Sequence, residues 1–140
     1  MNKPLIVFIE DNPGDIELLR MALEQQNAPY ELIALADGAE ALRFVSEFHS
    51  ATREPQPCVI LLDVHLPKYD GLEVLAALRR QERLRNVHVV MLASGGVRNS
   101  EQIRIQHLDA RFRQKPRTFR EVEQLAIDVL DLCKRTMLAA

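Results

Sequence analysis

The chain has 140 residues, 47% of them hydrophobic and 27% charged, which is the size and composition of one globular domain and leaves no room for a second of ordinary length. Its net charge of -2 lacks the basic excess of a nucleic-acid-binding protein. No apolar run is long enough for a membrane span or a signal peptide, so a cytoplasmic protein without membrane or direct nucleic-acid partners is expected.

In chain order, short apolar runs alternate with amphipathic stretches, the pattern of βα units around a parallel sheet. The first strand is predicted over Leu5 to Ile9 and closes on the acidic pair Glu10-Asp11. A helix follows from near Asp15, with Asn12 as its cap. The second strand, Glu31 to Leu35, leads through Asp37 to a helix from Gly38. Residues His49 to Pro57, with Pro55 and Pro57, read as a surface loop. The third strand, Val59 to Leu62, ends at Asp63, and the turn Pro67-Lys68-Tyr69-Asp70-Gly71 precedes a helix from Leu72. The fourth strand spans Val87 to Leu92, with a helix from Ser100 capped by Asn99. A fifth, poorly apolar strand, Ala110 to Gln114, runs into Lys115-Pro116, and the closing helix occupies 118–138.

That closing helix carries Val122, Leu125, Ala126, Val129, Leu132 and Cys133 at the helical period, a core-facing stripe. Ile127, Leu130, Met137 and Leu138 lie off it or at its edge and offer a second apolar strip, which together with the fifth strand is a candidate homodimer face. Cys58 and Cys133 are far apart and outside metal-ligand spacing, so free thiols are expected. The four histidines have no HxxxH or CxxC partners, which argues against zinc.

Chemistry collects at the carboxyl edge of such a sheet. If the first and third strands are neighbours, the carboxylates of Glu10, Asp11 and Asp63 converge, and a hard, oxygen-seeking cation such as Mg²⁺ (or Mn²⁺) is the natural occupant. Lys115 places an ammonium at the same edge. With the Pro67 to Gly71 turn, this arrangement resembles the receiver domain of response regulators in bacterial two-component systems, over nearly the whole chain. The Glu10-Asp11-Asn12-Pro13-Gly14-Asp15 opening further resembles the single-domain regulators associated with phytochrome-like kinases.

The resemblance implies a flavodoxin-like, doubly wound α/β fold with five parallel strands in the order 2-1-3-4-5 and five helices. Residues 1–140 would form a single receiver domain with no effector domain. Asp63 would be the phosphoacceptor, receiving a phosphoryl group from a sensor histidine kinase or phosphotransfer protein in a phosphorelay. Glu10, Asp11, Asp63 and the backbone carbonyl of His65 would hold the metal, while Lys115 and the Ser94 backbone N–H would bind the phosphoryl group. The protein would then be a phosphoacceptor with self-catalysed phosphotransfer and dephosphorylation rather than an enzyme.

One position departs from the family pattern. The fourth strand of receivers ends in Thr or Ser, and ungapped alignment places Ala93 there. Ala93 has no hydroxyl to bond a phosphoryl group and draw the next loop inward. Gly95-Gly96 make that loop permissive in backbone angle. Phe112 holds the aromatic switch position, and with Ala93 opposite it the ring has room to lie inward even without phosphate. An alternative reading follows: a pseudo-receiver interaction module with weak or no phosphate-dependent switching.

Two other readings of the acid at position 63 fail. A haloacid-dehalogenase-type phosphatase needs a second acid where His65 stands, and a nucleotide hydrolase needs a GxxxxGK[ST] loop that the sequence lacks. Arg113 alternates away from Phe112 onto the other sheet face and so needs a partner there: water, an acid of the last helix or an acid of a neighbouring subunit.

Overall fold

A computed structural model describes residues 3–48 and 55–139. Five strands, β1 (Leu5–Ile9), β2 (Glu31–Leu35), β3 (Val59–Asp63), β4 (His88–Ala93) and β5 (Arg111–Gln114), alternate with α1 (Pro13–Glu24), α2 (Gly38–Glu47), α3 (Gly71–Arg80), α4 (Asn99–His107) and α5 (Phe119–Ala139). Every strand pairing is parallel and the order is β2-β1-β3-β4-β5, the doubly wound arrangement expected. A short 3₁₀ turn, Glu82–Leu84, is an addition to the sequence reading. Most of the 49–57 segment read as a loop lies outside the described residues.

β1 and β3 are buried along their full length because helices cover both faces of the sheet. Alternation sorts their side chains into two cores. Val7, Ile9, Ile60 and Leu62 pack with α2, α3 and α4. Ile6, Phe8, Val59 and Leu61 pack with α1 and α5. The outer strands β2 and β5 are only partly buried.

Helix starts follow capping chemistry. Asn12 Oδ1 accepts from Gly14 N at 2.9 Å, Asp37 Oδ1 from Glu40 N at 2.8 Å, and Asp70 Oδ1 from Leu72 N at 3.2 Å. The expected cap Asn99 is instead the first residue of α4. The start falls one residue earlier because Glu101 Oε1 accepts from Arg98 N at 2.9 Å and supplies the cap from inside the helix.

β5 forms despite its composition. Arg113 finds Asp128 of α5, Nη1 donating to Oδ2 at 2.8 Å, so its aliphatic stem covers the sheet while its charge is paired. Arg79, at the end of α3, donates to four backbone carbonyls: Leu108 (2.7 Å), Arg85 (3.0 Å), Val87 (2.7 Å) and Asp109 (2.9 Å). It ties the segments entering β4 and β5 to α3, at the amino edge of the sheet.

The expectation of free thiols is overturned. Cys58 and Cys133 form a disulfide, with Cα atoms 5.3 Å apart across a sequence separation of 75. Spacing along the chain could not show this, because docking of α5 on the sheet brings the two together.

Candidate functional site

At the carboxyl edge of the sheet, parallel pairing sets Ile9 beside Leu62 and Asp63 beside Leu92. The acids that end β1 and β3 are therefore neighbours. Glu10 is fully buried and Asp63 nearly so, whereas Asp11 is exposed. One carboxylate oxygen from each of the three lies within 4.8 Å of the others.

Lys115 follows β5, its amide donating to Ala93 O at 2.8 Å, so the end of β4 anchors the loop that carries it. Its Nζ donates to Asp63 Oδ2 at 3.1 Å. It also stands 2.7 Å from Glu10 Oε1 and 3.6 Å from Asp15 Oδ2. Asp15 adds a carboxylate to the site beyond those the sequence marks at the strand ends. The available signal was its place in the first turn of α1, four residues after Asp11.

The remaining carboxylate oxygens are held by local backbone. Glu10 Oε2 accepts from Asn12 N and Asp63 Oδ1 from His65 N, both at 3.0 Å. Glu10 Oε1 is buried without a well-angled hydrogen bond, leaving the Lys115 ammonium as its compensation. Desolvation pushes the Glu10 carboxyl up to about 7, with Asp63 adding to the rise and Lys115 and the Asn12 amide opposing it. Burial pulls the Lys115 ammonium down, but the carboxylates of Glu10 and Asp63 outweigh it and hold the group above its ordinary value.

Two glycines let the loops close around this centre. A Cβ on Gly71 would run into the carbonyl oxygens of Asp63 and Val64, and one on Gly38 into the backbone of Tyr69. Each marks a backbone approach that a side chain would forbid. Gly95 and Gly96 have no such role: their Cβ positions are open and neither has a positive φ.

Ala93 is fully buried at the end of β4. Phe112 packs against the same core cluster but remains half-buried, lining grooves on both sides of β5. Ser94 is exposed in the loop beyond, and its carbonyl lies 3.5 Å from Gln114 Nε2.

The response regulator receiver domain family matches residues 6–126. The chain belongs to this family. The response regulator Rcp1 of Synechocystis sp. is 37% identical over 90 residues, 64% of this receiver and 61% of Rcp1, so the match spans less than two thirds of that relative. The Mn²⁺-bound structure of Rcp1 aligns over 90% of this chain and 91% of its own, at 29% identity and TM-score 0.76. The phosphorylated cyanobacterial phytochrome response regulator RcpA aligns over 96% of both chains, at 27% identity and TM-score 0.82. The bacteriophytochrome response regulator AtBRR is 36% identical over 94% of this chain and 95% of its own, at TM-score 0.69.

The likeness to phytochrome-associated regulators read from the Glu10 to Asp15 opening therefore holds in sequence and in structure. Phosphorylation and Mg²⁺ binding in two-component signalling are general to the family. The acidic cluster here suits such an ion: oxygens of three carboxylates converge within 4.8 Å of one another.

Proposed function

We propose that this receiver accepts a phosphoryl group on Asp63 from a sensor histidine kinase or phosphotransfer protein and signals through altered protein contacts. The observation that carries the reading is the position of Lys115 Nζ, 3.1 Å from Asp63 Oδ2 and 2.7 Å from Glu10 Oε1. That ammonium balances the acids at rest and can pair with phosphoryl oxygens afterwards.

A carboxylate oxygen of Asp63 attacks the phosphorus of a phosphohistidine, the P–N bond breaks, and the imidazole leaves with the electron pair and takes up a proton. The product is an acyl phosphate. A divalent cation, held by Glu10, Asp11, Asp63 and the His65 carbonyl, would supply charge neutralisation at the transferring group. Lys115 contributes a fixed positive charge beside Asp63, and His65 N fixes the Asp63 carboxylate by donating to Oδ1 at 3.0 Å. The Ser94 backbone N–H is assigned to a phosphoryl oxygen.

The same reading takes the chain as a cytoplasmic receiver domain acting as a phosphoacceptor rather than an enzyme. Output would pass through a partner or a homodimer. Ile127, Met137 and Leu138 are exposed on α5 with Leu130 beside them, an apolar strip suited to a second copy. Sedimentation of the full chain tests this: a strictly monomeric protein before and after phosphorylation removes the dimer from the reading.

Ala93 favours one competing reading, a pseudo-receiver whose contacts do not depend on phosphate. Incubation with acetyl phosphate and Mg²⁺, followed by intact-mass measurement of wild type and Asp63→Asn, separates the two. Asp63-dependent, base-labile phosphate supports the phosphoacceptor, and its absence favours the pseudo-receiver.

A further inference from the structure

We infer that Cys58 and Cys133 form a reversible thiol–disulfide site whose state sets how firmly the carboxyl-terminal half of α5 is held on the sheet. Cys58 lies one residue before β3, its amide donating to Leu5 O at 2.9 Å. Its Cα lies 5.3 Å from that of Cys133, inside the range a disulfide spans without backbone movement.

The location gives the bond leverage. The buried residues of α5 are Val122, Leu125, Ala126, Val129 and Cys133, and beyond Cys133 the described residues are exposed or half-exposed. Cys133 is thus the last anchor of a helix that continues to Ala139. The helix on both sides of it forms one wall of an apolar groove, Leu130 before it and Met137 and Leu138 past it, across from Pro4, Ala28 and Pro29. Releasing the anchor loosens that wall. Cys58 and Asp63 sit at opposite ends of β3, so the inference does not rest on phosphorylation.

The co-reactant is a small thiol of the glutathione class. Its thiolate attacks Sγ of Cys58, the less enclosed of the pair at 6% exposure against 0%, forming a mixed disulfide and expelling the Cys133 thiolate, which takes up a proton. A second small thiolate attacks the outer sulfur, releasing Cys58 and leaving the small-molecule disulfide. Two electrons pass to the protein, and the small-molecule disulfide reverses the sequence.

The test equilibrates the full chain in mixtures of reduced and oxidised glutathione, counts thiols by alkylation and intact mass, and measures hydrogen exchange across α5 with β1 as reference. Oxidised glutathione should leave no alkylated cysteine, and reduced glutathione two. On reduction, protection at 130–138 should fall by roughly tenfold while that of β1 persists, as expected for local opening. A Cys58→Ser, Cys133→Ser double variant should match the reduced form in both mixtures. Two free thiols persisting in oxidised glutathione, a bond that excess reduced glutathione leaves intact, or equal exchange in the two states would overturn the inference. The wild-type comparison stands even if the variant fails to fold.

Discussion

Lys115 Nζ donates to Asp63 Oδ2 at 3.1 Å, a contact between residues 52 apart that joins the loop after β5 to the end of β3. The same ammonium is the charge partner of the fully buried Glu10. Removing it leaves two close, enclosed carboxylates without their cation. Lys115→Ala should therefore lower the unfolding free energy by about 1–3 kcal/mol in metal-free urea titrations, and saturating Mg²⁺ should recover part of the loss. Equal stability of the two proteins without metal would show that the ammonium does not compensate the acids.

Proton competition gives a second expectation. The Glu10 carboxyl is pushed up to about 7, chiefly by burial, above its ordinary 4.5. A raised folded-state value favours the protonated side chain, so this group's stabilising contribution is complete below 4.5 and is lost as pH rises through about 7. A metal ligand must be ionised. Mg²⁺ affinity measured by calorimetry should thus rise by about tenfold per pH unit below this value and level off above it. Glu10→Gln should flatten the profile, and a wild-type affinity constant across the interval would contradict the assignment of Glu10.

The consequence of Ala93 can be measured directly. Its side chain is fully buried against the core that Phe112 also contacts. A hydroxyl bonded to a phosphoryl group is worth about 1.5–3 kcal/mol, so Ala93→Thr should enlarge the phosphorylation-dependent change in hydrogen exchange of residues 94–98 and β5. Matching changes in wild type and Ala93→Thr would mean that coupling does not run through this position.

At the opposite edge of the sheet, Arg79 spans four carbonyls with one planar guanidinium. Lysine offers a single ammonium and cannot reach them together. Arg79→Lys should cost about 2–4 kcal/mol in urea unfolding while leaving phosphorylation of Asp63 unchanged. A wild-type midpoint would remove Arg79 as the tie between α3 and the entries to β4 and β5.

Much of this was legible because burial on both faces writes itself as unbroken apolar runs: Leu5 to Ile9 and Val59 to Leu62 are central strands, and the acids after them mark the site. β5 was less readable, since its stability comes partly from the Arg113–Asp128 pair, a contact between separate elements. The Arg79 tie, the third carboxylate at Lys115 and the Cys58–Cys133 bond escaped for the same reason. Each joins distant positions whose proximity exists only after the helices dock. Asn99 misled because a side chain three residues beyond Arg98 performs the capping.

The central claim is that Asp63 is the phosphoacceptor. The most direct measurement treats the acetyl-phosphate-modified protein with borohydride, which reduces an aspartyl phosphate to homoserine, and maps the peptides by mass spectrometry. Homoserine at position 63, dependent on Mg²⁺ and absent from Asp63→Asn, is the result expected. Unmodified aspartate at 63, or homoserine at Glu10's neighbour Asp11 instead, would contradict it.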